Sequence, residues 1–421
     1  MRLLHRSGIF FFAIALIAFC CLSLGGALRG QQPGDPPAIT ENPVPPGESI
    51  IEAVFVLDTT GSMGGLIQGA KEKIWSIANT LVTNEPKPII KFGLIGYRDR
   101  SDAYITKITP LTGDIDAVYT DLMAFTAEGG GDGPESVNQA LHEAVTKIAW
   151  SKASGIYRVI FLVGDYPPHM DYEDYVKYQE SCRLATEAHI VINTIQCGGY
   201  EPTTPFWQEI ARLAEGRFFQ VAQSGGAVTV ATPFDEKLTS LARELDGTRL
   251  YYGTKEEQAH GKLQNEAADE ITLRASVSSN AERAAYNAKT APAGPAGPSA
   301  SVSAFDSDSS KDFINDLTAG TITLDKVDEK LLPENMRKMT AGEREAYVKE
   351  LQEKRKQLLE QITGLSAQRA QFQQQELARL GEKGKDSFDA AIVEAVTTQR
   401  AARQDTTAPA REEPAAEAKT E

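Results

Sequence analysis

Cysteine is almost missing from this chain. Four occur in 421 residues, and Cys20 and Cys21 lie in an apolar N-terminal run. That leaves Cys182 and Cys197, too few for a disulfide framework. Basic charge is in deficit, with 43 Lys and Arg against 58 Asp and Glu and a net charge of −15. A nucleic-acid partner needs a basic footprint, so none is expected. Histidine is scarce, at five residues. His142 and His189 have no second histidine at ligand spacing and are assigned no role. Gly129-Gly130-Gly131 is not followed by a Gly-Lys-Ser/Thr sequence, which argues against a P-loop. Ser62 is not set in Gly-x-Ser-x-Gly, which argues against a hydrolase elbow. Cys182 and His189 are about two helical turns apart, too far to pair along one helix. Together these gaps point away from an enzyme.

Long apolar runs are missing too, except at the N-terminus. Arg2, His5 and Arg6 precede a nearly continuous apolar stretch over 9–24, followed by Gly25-Gly26-Ala27. This pattern predicts a secretory signal over 1–27, cut after Ala27. Left uncut, it would be long enough to anchor the chain in a membrane. The expected location is therefore secreted, periplasmic or cell-envelope. Residues 28–48 are rich in Pro and Gly and read as a disordered linker.

Beyond residue 48, apolar strands alternate with helical stretches. Strands are expected at 51–57, 89–97, 104–111, 158–163, 190–197 and 217–221. Helices are expected at 66–81, 114–125, 135–150, 172–188, 206–214 and 234–245. Such alternation predicts an α/β fold, a doubly wound and mostly parallel sheet with helices on both faces. The polar link 98–102 is too short for a crossover, so the strands flanking it should form an antiparallel edge hairpin.

The chemistry gathers at the carboxyl ends of these strands, where open α/β sheets place their ligand sites. Asp58-Thr59-Thr60-Gly61-Ser62-Met63 follows the apolar run Ala53-Val54-Phe55-Val56-Leu57. Asp165 follows Val159-Ile160-Phe161-Leu162-Val163 in the same way. Between them lies the loop Gly129-Gly130-Gly131-Asp132-Gly133-Pro134-Glu135. Carboxylate and hydroxyl oxygens suit a hard cation such as Mg²⁺. Helix capping by Asp58 and its hydroxyls would not account for acids on two further loops. Glu135 reads as a first-turn helix residue set against the helix dipole. His169 reads either as lining the rim of the site or as an exposed loop residue.

These residues resemble the von Willebrand factor A (vWA) family with a metal-ion-dependent adhesion site, over about 49–245. Asp58-x-Thr60-x-Ser62 and Asp165 match that site, whereas Asp132 stands where Thr is usual. The resemblance implies a Mg²⁺ site, with Mn²⁺ or Ca²⁺ as substitutes, built from Asp58, Thr60, Ser62, Asp132 and Asp165. In it the hydroxyls of Thr60 and Ser62 touch the ion, while Asp58 and Asp165 act largely through water. It further implies a protein partner that presents an acidic residue.

The rest of the chain reads as a helical, partly disordered C-terminal region. A helical segment is expected over 246–290, a flexible linker over 291–311, a helical or coiled-coil region over 312–400 and a disordered tail over 401–421. Thr340-Ala341-Gly342-Glu343 has the spacing of a capping box. Leu351, Leu358, Leu365 and Phe372 recur every seven residues, with Val348 and Ile362 at companion positions and Arg355 and Arg369 interrupting them. Such a seam can fold onto the neighbouring 386–400 helix, self-associate through 340–380, or bind a partner.

The expected function is that of an exported, metal-dependent protein-binding protein. The alternatives are an assembly or maturation factor working with an ATPase, or an envelope scaffold whose coiled-coil tail carries the function.

Overall fold

The continuous apolar runs do form a buried sheet. In this computed structural model residues 40–43, 49–84, 87–131, 133–292, 294, 311–380 and 386–407 are described. The expected signal segment lies outside them, as does Asp132. The strands are β1 (Thr40–Pro43), β2 (Ser49–Asp58), β3 (Pro88–Tyr97), β4 (Thr106–Thr112), β5 (Ala153–Ser154), β6 (Tyr157–Gly164), β7 (Ile190–Cys197) and β8 (Phe218–Val221). The main sheet has the order β4-β3-β2-β6-β7-β8. Every neighbouring pair in it is parallel except β3 and β4, which form the antiparallel edge hairpin. β2 and β6 lie side by side at the centre, with Leu57 opposite Val163. That register brings Asp58 and Asp165 to the same carboxyl edge.

The helices are α1 (Gly64–Leu81), α2 (Ile115–Met123), α3 (Val137–Thr146), α4 (Tyr178–Glu187), α5 (Thr204–Leu213), α6 (Asp235–Asp246), α7 (Lys255–Arg274), α8 (Val277–Thr290), α9 (Phe313–Ala319), α10 (Ala341–Leu380) and α11 (Phe388–Thr407). Alternate side chains of each strand feed two cores. On one face Val54, Val56, Ile160, Leu162 and Ile192 pack with residues of α3, α4 and α5. On the other, Ala53, Phe55, Leu57, Phe161 and Ile195 share a core with α1, α2 and α11.

That last cover comes from far along the sequence. Phe388, Ile392, Ala395 and Val396 of α11 enter the sheet's core. Nearby, Gln399 Nε2 donates to Asn193 Oδ1 of β7 at 2.8 Å. By contrast α6, the last helix of the expected α/β segment, packs against α8 and α10 through Leu238, Leu241 and Leu245. Two stretches read as disordered also hold regular structure. β1 lies in the expected linker 28–48 and pairs in parallel with β5, and α11 continues to Thr407.

The heptad positions of α10 are used inside the chain. Leu358 and Ile362 join the core of α6 and α8, and Val348 joins a cluster with Phe313 and Ile314 of α9. Arg355 and Arg369 are buried members of this seam rather than breaks in it. Arg355 Nη1 lies 3.1 Å from Asp312 Oδ2, and its Nε donates to Thr248 Oγ1 at 2.9 Å. Arg369 Nε donates to Asp235 Oδ1 at 2.6 Å, and its guanidinium also pairs with Glu282. A buried guanidinium is tolerable only when paired in this way. The expected capping box at the start of α10 is formed, with Thr340 N donating to Glu343 Oε2 at 2.7 Å and Glu343 N to Thr340 Oγ1 at 3.4 Å.

Candidate metal centre

Three loops meet at the carboxyl edge above β2 and β6, stitched by backbone hydrogen bonds. Gly61 N donates to Gly129 O at 3.2 Å, and Glu128 N donates to Thr59 O at 3.2 Å. Arg98 braces the same junction, donating through Nε to Thr59 O at 3.1 Å and through Nη2 to Thr126 O at 2.7 Å. The glycine loop is pinned by Asp102, whose carboxylate accepts from Gly130 N at 3.1–3.2 Å. A Cβ on Gly129, at φ +79°, would overlap the Asp102 carboxylate. Only glycine suits both that φ and that approach.

Asp58 ends β2 fully buried. Its Oδ1 accepts from Thr60 N at 2.8 Å and from Thr60 Oγ1 at 2.6 Å. Ser62 Oγ lies 3.5 Å from Thr60 Oγ1. Asp165 is also buried, and its Oδ2 accepts from Gln223 Nε2 at 2.7 Å. The second oxygens, Asp58 Oδ2 and Asp165 Oδ1, are buried and have no hydrogen-bond partner.

Glu135 departs from its reading as a first-turn residue. The α3 helix begins at Val137 with Ser136 at its N-cap, so Glu135 precedes the helix. It is buried among the acids, with Oε2 also unpartnered. Its backbone ties the glycine loop to the loop after β6, N donating to Pro167 O and O accepting from His169 N, both at 3.0 Å. The crowding shows in the acidities. Burial pushes the Asp58 carboxyl up to about 7, with Asp165 adding to it against the bonds from Thr60. Burial pushes Glu135 up to about 9, helped by Asp58, Asp99, Asp102 and Asp165.

His169 is not an exposed loop residue. It is buried, stacks on Tyr172 at 3.9 Å between ring centroids, and holds Asp171 Oδ1 at 2.8 Å through Nδ1. Cys182 and Cys197 are buried free thiols.

Three unpartnered carboxylate oxygens at one buried edge are costly unless a proton or a cation occupies them. Among the described residues, no three His, Cys, Asp or Glu side chains converge to cage a metal on their own. The oxygens gathered at this edge are those of two strand-end carboxylates, Asp58 and Asp165, together with the hydroxyls of Thr60 and Ser62. Hard oxygen donors with few carboxylates fit an ion that keeps several waters.

Residues 52–232 match the family of the von Willebrand factor A domain. The mostly parallel sheet with one antiparallel strand and helices on both faces is a vWA-like fold. Gln223 lies within the matched vWA region and takes part in the site, yet no motif in the sequence marks it. An ariadne-like RING finger protein of Acanthamoeba polyphaga mimivirus is 27% identical over 123 residues, 29% of this chain and 12% of its own length. Proximal thread matrix protein 1 from the mussel byssus is 15% identical over 42% of this chain and 43% of its own, with a TM-score of 0.33. A second structure of that byssus protein has a zinc-occupied metal-ion-dependent adhesion motif. The vWA domain of SpRpn10 is 12% identical over 42% of this chain and 89% of its own, with a TM-score of 0.32. The chain thus spans less than half the length of the mimivirus and byssus proteins. No described helix is long and apolar enough to cross a membrane.

Proposed function

We propose that this chain is an exported protein-binding protein that uses a divalent ion to bind an acidic group of its partner. The observation that carries this reading is the pair of buried, unpartnered oxygens, Asp58 Oδ2 and Asp165 Oδ1, beside the hydroxyls of Thr60 and Ser62. Asp58, Thr60, Ser62 and Asp165 would hold Mg²⁺, or Mn²⁺ or Ca²⁺ in its place. Asp132 is added on its sequence position alone. Bound there, the ion supplies an electrophilic centre that accepts a carboxylate oxygen.

The chain's own residues do the positioning. Thr60 orients the Asp58 carboxylate by two hydrogen bonds. The Asp102 anchor on Gly130 pins the glycine loop. Asp132, a carboxylate where a hydroxyl is usual, would draw the cation but repel an incoming acid. Export rests on the signal-like pattern of 1–27.

The test is a pull-down from envelope extracts with the wild-type chain and Asp58→Ala, each with and without chelator. The reading expects a partner retained by wild type with the ion present, released by chelator and absent from Asp58→Ala. A partner held equally by both chains in chelator would refute it.

A further inference from the structure

Gln223 is exposed at the surface, yet its amide is hydrogen-bonded to Asp165. It belongs to the turn after β8, the edge strand farthest from β4 in the sheet order. From there the chain runs back to α1, where two glycines a helical turn apart let it lie close. A Cβ on Gly65 would meet Ser224 Cα at 3.0 Å, and one on Gly69 would meet Ala227 Cβ at 3.3 Å. Phe388 N, at the start of α11, donates to Gly225 O at 2.8 Å and closes the turn from outside. The turn delivers the Gln223 amide to the site. Its Nε2 lies 2.7 Å from Asp165 Oδ2 and 3.4 Å from Ser62 O. Its Oε1 sits over Gly198, where φ is +74° and any Cβ would overlap it.

The consequence concerns which oxygen of Asp165 is free. An amide N–H that donates to one carboxylate oxygen occupies that oxygen and limits how the group turns. Here Oδ2 is taken, so Oδ1 alone is left open, on a residue beside Asp58. The same amide bridges the Asp58–Ser62 loop to the loop after β6. We infer that Gln223 is a positioning residue of the metal site, which holds the Asp165 carboxylate so that Oδ1 faces the ion, and that Gly198 is there to admit it. This inference rests on the ion-binding reading above. Partners of this kind in an outer shell commonly change metal affinity by about 10–100-fold when removed.

Calorimetric titration of Mg²⁺ into the full chain tests it, with wild type, Gln223→Leu, Gly198→Ala and the double variant. Thermal melts of each in chelator separate ion affinity from folding. Gln223→Leu keeps the bulk and loses the donor. Gly198→Ala keeps the amide and takes away its seat. The expected result is at least a tenfold loss of Mg²⁺ affinity in each single variant, with the double variant no weaker than the worse single one. That non-additivity marks one shared interaction, and a loss of fold stability alone would not produce it. Wild-type affinity in Gln223→Leu overturns the inference and leaves the ion-binding reading standing. Multiplied losses in the double variant overturn the role given to Gly198. No Mg²⁺ binding by the wild-type chain overturns both the inference and the reading beneath it.

Discussion

Arg283 and Asp116 meet as a bidentate ion pair, with Nε 2.5 Å from Oδ1 and Nη2 2.6 Å from Oδ2. The pair joins α8 to α2, and the same guanidinium reaches Asp246 of α6 at 2.7 Å. Burial alone would raise the Asp116 carboxyl, but the guanidinium overrides it and holds the group below the usual carboxylate range. Arg283→Met fills the space and leaves the partly buried Asp116 without its ion pair, while Asp246 keeps Arg249 at 2.9 Å. The expected cost is roughly 3–5 kcal/mol, the usual penalty for breaking a buried pair from one side. Urea unfolding followed by circular dichroism measures it. A loss below about 1 kcal/mol would mean that the helical layer is not locked to the sheet through this pair.

A chain ending at residue 385 should be unstable as well. It lacks Phe388, Ile392 and Val396, which enter the core shared with Phe55 and Phe161. At ~1.5–3 kcal/mol for each large apolar side chain, the loss is on the order of 5 kcal/mol. Melting temperature and binding of a hydrophobic dye are the readouts. Unchanged melting and no dye binding would show that α11 is dispensable.

That dependence explains what the sequence could and could not reveal. β2 and β6 are legible because each is an unbroken apolar run, and Asp58 and Asp165 because each follows such a run directly. Those are local signals. Glu135 is misplaced because only the start of α3 at Val137 shows that it precedes the helix. Gln223 is invisible because its link to Asp165 depends on the path of the chain after β8. Arg355 and Arg369 look like interruptions until Asp312 and Asp235 are seen opposite them. In each case the deciding partner is distant in sequence or fixed by the fold.

The acid cluster sets a pH dependence. Asp58 at about 7 and Glu135 at about 9 lie above their ordinary values, both through burial first. At these two groups the folded chain binds more protons than the unfolded one above about pH 4, so their contribution to stability falls as pH rises. From Asp58 alone the slope is at most ~1.4 kcal/mol per pH unit up to about pH 7. Denaturation in chelator at pH 5, 6, 7 and 8 should show this decline, Asp58→Asn should make it shallower below about pH 7 while leaving the share of Glu135, and excess Mg²⁺ should offset it by binding the folded state. A decline of equal slope in Asp58→Asn would remove Asp58 as its source.

The two thiols should be inert in the folded chain. Burial, with Glu209 nearby, pushes Cys182 up to about 12, and burial raises Cys197 well above the ordinary thiol value. A thiol reagent such as dithionitrobenzoate should find neither of them in the native chain and both after unfolding without reductant. Absence of free thiol in the unfolded monomer would reveal a disulfide that this fold does not contain.

In the proposed function the open oxygens of Asp58 and Asp165 face a cation. Anomalous diffraction from a crystal of the full chain grown with Mn²⁺ decides it. One manganese peak is expected at the carboxyl edge of β2 and β6, touching Thr60 Oγ1 and Ser62 Oγ and facing Asp58 Oδ2 and Asp165 Oδ1. A fully occupied peak elsewhere in the molecule, with this edge empty, would contradict it.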